Sequence, residues 1–171
     1  MNKTILTLVL TAALAAFAQA ETTVKLTSVH LCCNSCVKGV DKAVGTVSGA
    51  KAASDKDGGT VTITASDDAT AQKAVDALVA AGYYGKSDNS AVKVSSETGA
   101  KDAKVSSLTV NDVHLCCKSC VKAVNGALGE VKGVASNTAE KGAKSFEIKG
   151  DFNAKEVAEA LQKAGLTGKV Q

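Results

Sequence analysis

The chain repeats itself. At an offset of 84 residues His30 falls on His114, Cys32 on Cys116, Cys33 on Cys117, Cys36 on Cys120, Gly45 on Gly129 and Gly49 on Gly133. Whatever fold this sequence adopts must be one that half of it can form, and form twice. Two copies are too few for a solenoid, which needs about three stacked units to hide its core. The expectation is two small domains, each with its own core. They are placed at residues 21–88 and 107–171. Between them the segment 89–106 is rich in Ser, Lys, Ala and Gly and reads as a linker. As a flexible coil it would span about 24 Å, short enough for equivalent loops of the two copies to meet.

Each copy alternates between the periods of strand and helix. Val24 and Leu26 alternate with polar residues, as do Leu108 and Val110, and predict a first strand that runs into a cysteine-bearing loop. Val37, Val40, Val44 and Val47 then recur at helical spacing, matched by Val121, Val124, Leu128 and Val131, with Ser35 and Ser119 as expected N-caps. A weak strand near 50–54, an Asp57-Gly58-Gly59 turn and a strand through Val61 and Ile63 predict a hairpin, repeated around Gly142 with Phe146 and Ile148. A second helix follows, expected to be capped by Thr70 or Asn153 and stopped by Gly82 or Gly165. With a short last strand the order is βαββαβ. That predicts an α+β chain of two tandem ferredoxin-like domains, each a four-stranded antiparallel sheet with two helices on one face. Pro and Trp are absent and aromatics make up 3% of the chain, so the cores rest on Val, Leu, Ile and Ala. A unit of about 60 residues hides only about 60% of its unfolded surface, so each half should be marginal alone.

Every cysteine and histidine of the chain lies in the repeated string His-Leu-Cys-Cys-X-Ser-Cys-Val-Lys, at 30–38 and 114–122. Three thiols and one imidazole per copy form the inventory of a soft-metal site. Cys33 with Cys36, and Cys117 with Cys120, can place one sulfur on the loop and one on the first helical turn, about 4 Å apart around a shared ion. The positive end of the helix favours thiolate over thiol. Cys32 and Cys116 offer a third sulfur, and His30 and His114 a nitrogen, so each site ranges from two ligands, which suit Cu(I) or Hg(II), to four, which suit Zn(II). Disulfide bonding competes with metal in an exported protein. An odd number of thiols per copy and the strain of a Cys32–Cys33 bridge argue for metal instead. Lys38 and Lys122 read as a solvated helix face.

The ends and the charge narrow the setting. Residues 1–20 open with Lys3, continue through an apolar run and close on Ala18-Gln19-Ala20, which predicts a secretory signal peptide and export, most simply to a periplasm. No stretch after it is long and apolar enough to span a membrane. The formal charge is only +3 and every cationic residue is Lys, so the Arg fork that reads guanine and phosphate is missing and nucleic acid is not an expected partner.

On these residues the chain resembles the heavy-metal-associated domain family, which includes copper chaperones, N-terminal domains of metal-pumping ATPases and periplasmic mercury-binding proteins. Leu31-Cys32-Cys33-Asn34-Ser35-Cys36 and its copy Leu115 to Cys120 take the places of that family's Met-X-Cys-X-X-Cys loop. The resemblance implies non-enzymatic binding of one soft ion per copy, Cu(I) foremost, with Cys33 and Cys36 or Cys117 and Cys120 as ligands. It also implies a metal-transporting or metal-accepting protein as partner, and places Tyr83 near the first metal loop. The chain departs from the pattern at His30 and His114, where the family has Gly, at the extra thiols Cys32 and Cys116, and at Leu166 in place of the second Tyr. Two other readings are open: a thiol-disulfide oxidoreductase, disfavoured by the lack of any proline to sit beside the dithiol, and an interaction module holding structural Zn(II).

Overall fold

The structure, a computed structural model, describes residues 21–171; the expected signal peptide lies outside the described residues. The first half comprises β1 (Thr22–Thr27), α1 (Asn34–Val44), β2 (Ala50–Asp55), β3 (Thr60–Ala65), α2 (Asp68–Ala80) and β4 (Lys86–Ser87). The second comprises β5 (Lys104–Asn111), α3 (Lys118–Gly129), β6 (Val134–Asn137), β7 (Ser145–Asn153), α4 (Ala154–Lys163) and β8 (Lys169–Val170). Their sheets run in the orders β2-β3-β1-β4 and β6-β7-β5-β8, with every pairing antiparallel. The chain thus folds as the expected tandem ferredoxin-like α+β pair.

Periodicity explains why. In β3 the string Thr-Val-Thr-Ile-Thr-Ala points Val61, Ile63 and Ala65 inward and the threonines outward. Val24 and Leu26 of the central β1 join them, and α1 and α2 cover that face with Val40, Ala43, Val44, Ala71, Ala74, Val75 and Leu78. The second half repeats the plan but fills its core with larger groups, Phe146, Ile148 and Phe152 of β7. Its hairpin carries a register shift that the first half lacks.

The helix starts differ from expectation in an informative way. α2 is capped by Asp67, whose carboxylate accepts from the Thr70 N–H at 2.7 Å; Thr70 lies three residues inside. A carboxylate accepts that bond more strongly than a hydroxyl would, so the aspartate takes the cap. α1 and α3 begin after Cys33 and Cys117, which sit extended at the cap positions without a side-chain capping bond, and Ser35 and Ser119 fall within the first turn. α4 starts as expected: Asn153 accepts from Lys155 N–H at 2.9 Å and Glu156 N–H at 3.4 Å. Replacing Asn153 by Ala is expected to remove about 1 kcal/mol of stability, read as a lower urea midpoint of the full chain at an unchanged slope.

The segment between β4 and β5 is pinned rather than free. Val92 is fully buried. The Gln72 amide holds the Lys93 backbone through two bonds of 2.8 Å, while Gln162 reaches Ser96 O at 2.9 Å and Val170 N–H reaches Thr98 O at 2.8 Å. Contacts from both halves therefore fix its course. A composition of Ser, Ala and Gly gives no hint of this, because the partners, two glutamine side chains and the β8 main chain, lie on distant elements.

Candidate metal centre

β1 and β5 are each followed by a residue with a left-handed backbone, Ser28 at φ 61° and Asp112 at φ 59°. Side chains tolerate this region poorly, and its appearance at equivalent places turns each strand sharply into its cysteine loop. Cys33 and Cys117 then cap the helices, and Cys36 and Cys120 sit in their first turns, where the Cys36 and Cys120 N–H groups bond back to Cys33 O at 2.9 Å and Cys117 O at 3.1 Å. The Sγ atoms of each Cys-X-X-Cys pair stand 3.8 Å apart in both halves, close to the expected spacing.

The two loops meet. Cys32 lies 3.1 Å from Cys117 and 3.5 Å from Cys120, and Cys116 lies 3.6 Å from Cys33 and 3.4 Å from Cys36. Cys36 and Cys120 face each other at 3.9 Å. The third thiol of each half therefore points across to the other half's pair as well as to its own Cys36 or Cys120, at 3.6 and 3.7 Å. All six cysteines are free. Cys36 and Cys120 form the buried floor, and Cys32, Cys33, Cys116 and Cys117 remain partly exposed.

Two glycines make this approach possible. Gly82 and Gly165, read from sequence only as helix stops, press directly on the opposite half's backbone. A Cβ on Gly82 would stand 2.7 Å from Asp112 O, and one on Gly165 would stand 2.5 Å from both His30 N and Ser28 O. Beside them Tyr83 pairs with Leu166, and main-chain bonds of 3.1 Å run from Tyr84 N–H to Gly165 O and from Thr167 N–H to Gly82 O. The sequence signal was present, since the same glycine follows the same helix in both copies, but a C-cap role explained it without a partner.

The histidines, equivalent in sequence, are not equivalent here. His114 stacks on Tyr83 with ring centroids 4.5 Å apart, and its Nε2 lies 3.0 Å from the Tyr83 hydroxyl, which donates to Cys36 O at 2.7 Å. A hydroxyl that donates its only proton to Cys36 accepts from His114, which assigns a proton to Nε2. The His30 backbone N–H instead bonds to Gly165 O at 3.2 Å. The His30 Nε2 is buried with no partner among the described residues, and the ring lies within metal-sharing reach of Cys32 and Cys120. Tyr83 thus stands beside the loop, as the resemblance implied, and occupies the histidine of the other half.

Six thiols so close cannot all ionise. Cys36 is drawn down to about 2, chiefly by the hydrogen bond from Cys120 and against its burial, with His114, Cys116 and Cys32 adding to it. At Cys117 burial opposes ionisation, but bonds from the Cys32 thiol and from the Cys120 and Ser119 backbone N–H groups bring it to about 6. Cys120 is held protonated by its bond to Cys36 and by burial; Cys32 and Cys116 are raised mainly by burial and then by neighbouring thiols. Burial lowers His30 and favours its neutral, metal-competent form. Negative charge thus collects on Cys36 and Cys117, while Cys32, Cys116 and Cys120 keep their protons until a cation replaces them.

Groups of ligand atoms within 4.8 Å of one another include Cys32 with Cys33 and Cys117, Cys33 with Cys36 and Cys116, Cys116 with Cys117 and Cys120, and His30 with Cys32 and Cys120. Residues 107–167 match the family model for the heavy-metal-associated domain. The match falls within the second half, and the first half carries the same topology and loop. No curated protein matches the chain. Among solved structures it is similar to the N-terminal soluble domains of Bacillus subtilis CopA, at 14% identity over 90% of this chain and 95% of that one, with a TM-score of 0.31. It is also similar to the first two RRM domains of the yeast poly(U)-binding protein Pub1, at 12% identity over 88% and 98% of the chains, with a TM-score of 0.24. No helix of the described residues is long and apolar enough to cross a membrane.

Proposed function

From a second half that matches the heavy-metal-associated domain model and a first half built as its copy, we propose that this chain is an exported, non-enzymatic protein that captures a soft metal, Cu(I) foremost, on its thiolates. It then sequesters the ion or passes it on by ligand exchange. The observation that carries this reading is the convergence of all six cysteine sulfurs at one place. Thiolates prefer polarizable ions over hard cations, and the candidate groups contain thiols and one imidazole with no carboxylate. The Zn(II) and Hg(II) alternatives use the same ligands. Transfer to a metal-accepting protein would begin at Cys33 or Cys117, which are partly exposed: an incoming partner thiol joins the ion there while Cys36 or Cys120 still holds it from below.

Anaerobic titration of fully reduced protein, in competition with a coloured Cu(I) chelator, tests the reading. Tight uptake supports it, and failure to bind any soft ion removes it. Substantial insulin reduction by the metal-free protein would favour the oxidoreductase instead. Export predicts a mature chain beginning at Glu21, read by intact mass.

Binding also has a pH signature. Ions must displace the protons that Cys32, Cys116 and Cys120 retain at neutral pH. Each released proton competes less for its thiol as pH rises, so apparent affinity should increase with pH, about tenfold per unit for each proton released. Competition titrations at about pH 6 and about pH 8 measure the slope; a flat response would mean that the thiols bind no metal as thiolates.

A further inference from the structure

We propose that the six thiols form one polynuclear cage holding four Cu(I) ions between the two halves, rather than two separate Cys-X-X-Cys sites. This rests on the soft-metal reading above and specifies how the metal is held. The proposal comes from the pattern of sulfur contacts. An octahedron has twelve edges and three pairs of opposite corners. Here the edges are the contacts of 3.1–3.9 Å already described, completed by Cys32–Cys33, Cys33–Cys117 and Cys116–Cys117 within 4.8 Å. The pairs left over, Cys32 with Cys116, Cys33 with Cys120 and Cys36 with Cys117, take the opposite corners. The paired distances agree with an approximate twofold relation between the halves: 3.6 and 3.7 Å, 3.8 and 3.8 Å, 3.5 and 3.4 Å.

Alternate faces of an octahedron touch only at corners, and one such set uses every corner twice. Three of its faces are Cys32-Cys33-Cys117, Cys33-Cys36-Cys116 and Cys116-Cys117-Cys120. The fourth is Cys32-Cys36-Cys120, with edges of 3.6, 3.5 and 3.9 Å. A three-coordinate ion about 2.3 Å from each sulfur needs sulfurs about 4 Å apart, which is the size of these faces after slight expansion. Four such ions make twelve bonds, and six thiolates each bridging two ions accept twelve. No ligand is left over and none is missing. His30, buried and unpartnered at Nε2, is the nitrogen beside the Cys32–Cys120 edge.

Charge supports the same count. Loading is an exchange without oxidation or reduction: each ion leaves its carrier, the thiols still protonated release their protons, and sulfur–metal bonds replace sulfur–hydrogen bonds. Six thiolates alone would carry six negative charges in a space a few ångströms wide, whereas four monovalent cations reduce the core to a net charge of about −2. Two tetrahedral Zn(II) ions could also share six thiolates, but through one common edge, and would leave most sulfurs as terminal ligands.

The test is native mass spectrometry and X-ray absorption on the full, reduced, oxygen-free protein titrated with Cu(I), alongside the double variant Cys32→Ser, Cys116→Ser. That variant keeps both Cys-X-X-Cys pairs. The cage predicts about four Cu(I) per monomeric chain and a copper–copper scattering shell, falling in the variant to about two without that shell. Two isolated ions in the wild type, or four reached only in a dimer of chains, would overturn the cage while leaving soft-metal capture standing. No uptake at all would remove both. Should the variant misfold by circular dichroism, the wild-type stoichiometry and scattering decide alone.

Discussion

Exchanging Cys36 and Cys120 together for serine is expected to weaken Cu(I) binding by about four orders of magnitude. Structural metal sites with four ligands release about 10–16 kcal/mol, or about 3 kcal/mol for each ligand, and about 1.4 kcal/mol is a factor of ten. These two thiols are the fully buried corners, each in the first turn of its helix, and Cys36 carries the negative charge in the metal-free protein. Serine nearly preserves the shape but offers a hard oxygen that stays protonated. The fold should survive, because the core of each half is closed by its aliphatic face, so circular dichroism should be unchanged while chelator competition collapses. Affinity within tenfold of the wild type would place the metal elsewhere.

The second large effect concerns the contact between halves. Gly82→Ala together with Gly165→Ala is expected to make the docked arrangement a minority species. Gly82 at φ 89° and Gly165 at φ 77° both occupy the left-handed region, so alanine strains each half locally. The larger consequence is across the interface, where each new methyl meets the other half's main chain at under 3 Å. Overpacking of this kind costs about 1–3 kcal/mol per site. Gly49→Ala is the control: it shares the positive φ, but its nearest neighbour is the Ser66 side chain of its own half. Small-angle scattering should show the double variant expanded and the control compact. Metal capacity should fall in the double variant alone. An expanded protein with undiminished capacity would show that the halves bind metal independently.

Much of the fold was legible because the signals that encode it are local. The alternation in Thr60–Ala65, the helical spacing of Val37, Val40 and Val44, and the repetition of these patterns 85 and 84 residues on lead directly to two βαββαβ units. The helix starts were less legible. Asp67 and Thr70 are both good capping residues three positions apart, and only the geometry of the turn chooses between them. The family loop could be read as well, including the 4 Å separation within each Cys-X-X-Cys pair. The direction of Cys32 and Cys116 could not. Within one copy they are surplus thiols, and their purpose emerges only when Cys117 and Cys120 of the other copy are placed against Cys32. That placement depends on two glycines lacking side chains and on a connecting segment whose anchors, Gln72 and Gln162, lie far away in sequence. The inequivalence of the histidines has a similar origin. Tyr83 in one half and Leu166 in the other were visible as a departure from the repeat, but Tyr83 meets His114 only across the contact.

The anchored strap between β4 and β5 has a bearing on dilution. Separate molecules that had to pair before enclosing an ion would lose their grip as they became scarce, since encounter depends on abundance. Here the strap keeps each half's sulfurs in the other's vicinity, at an effective concentration of about millimolar for a connection of this length. Retention of a bound soft ion should therefore be the same at nanomolar and micromolar protein, as a dilution series of the loaded chain would read.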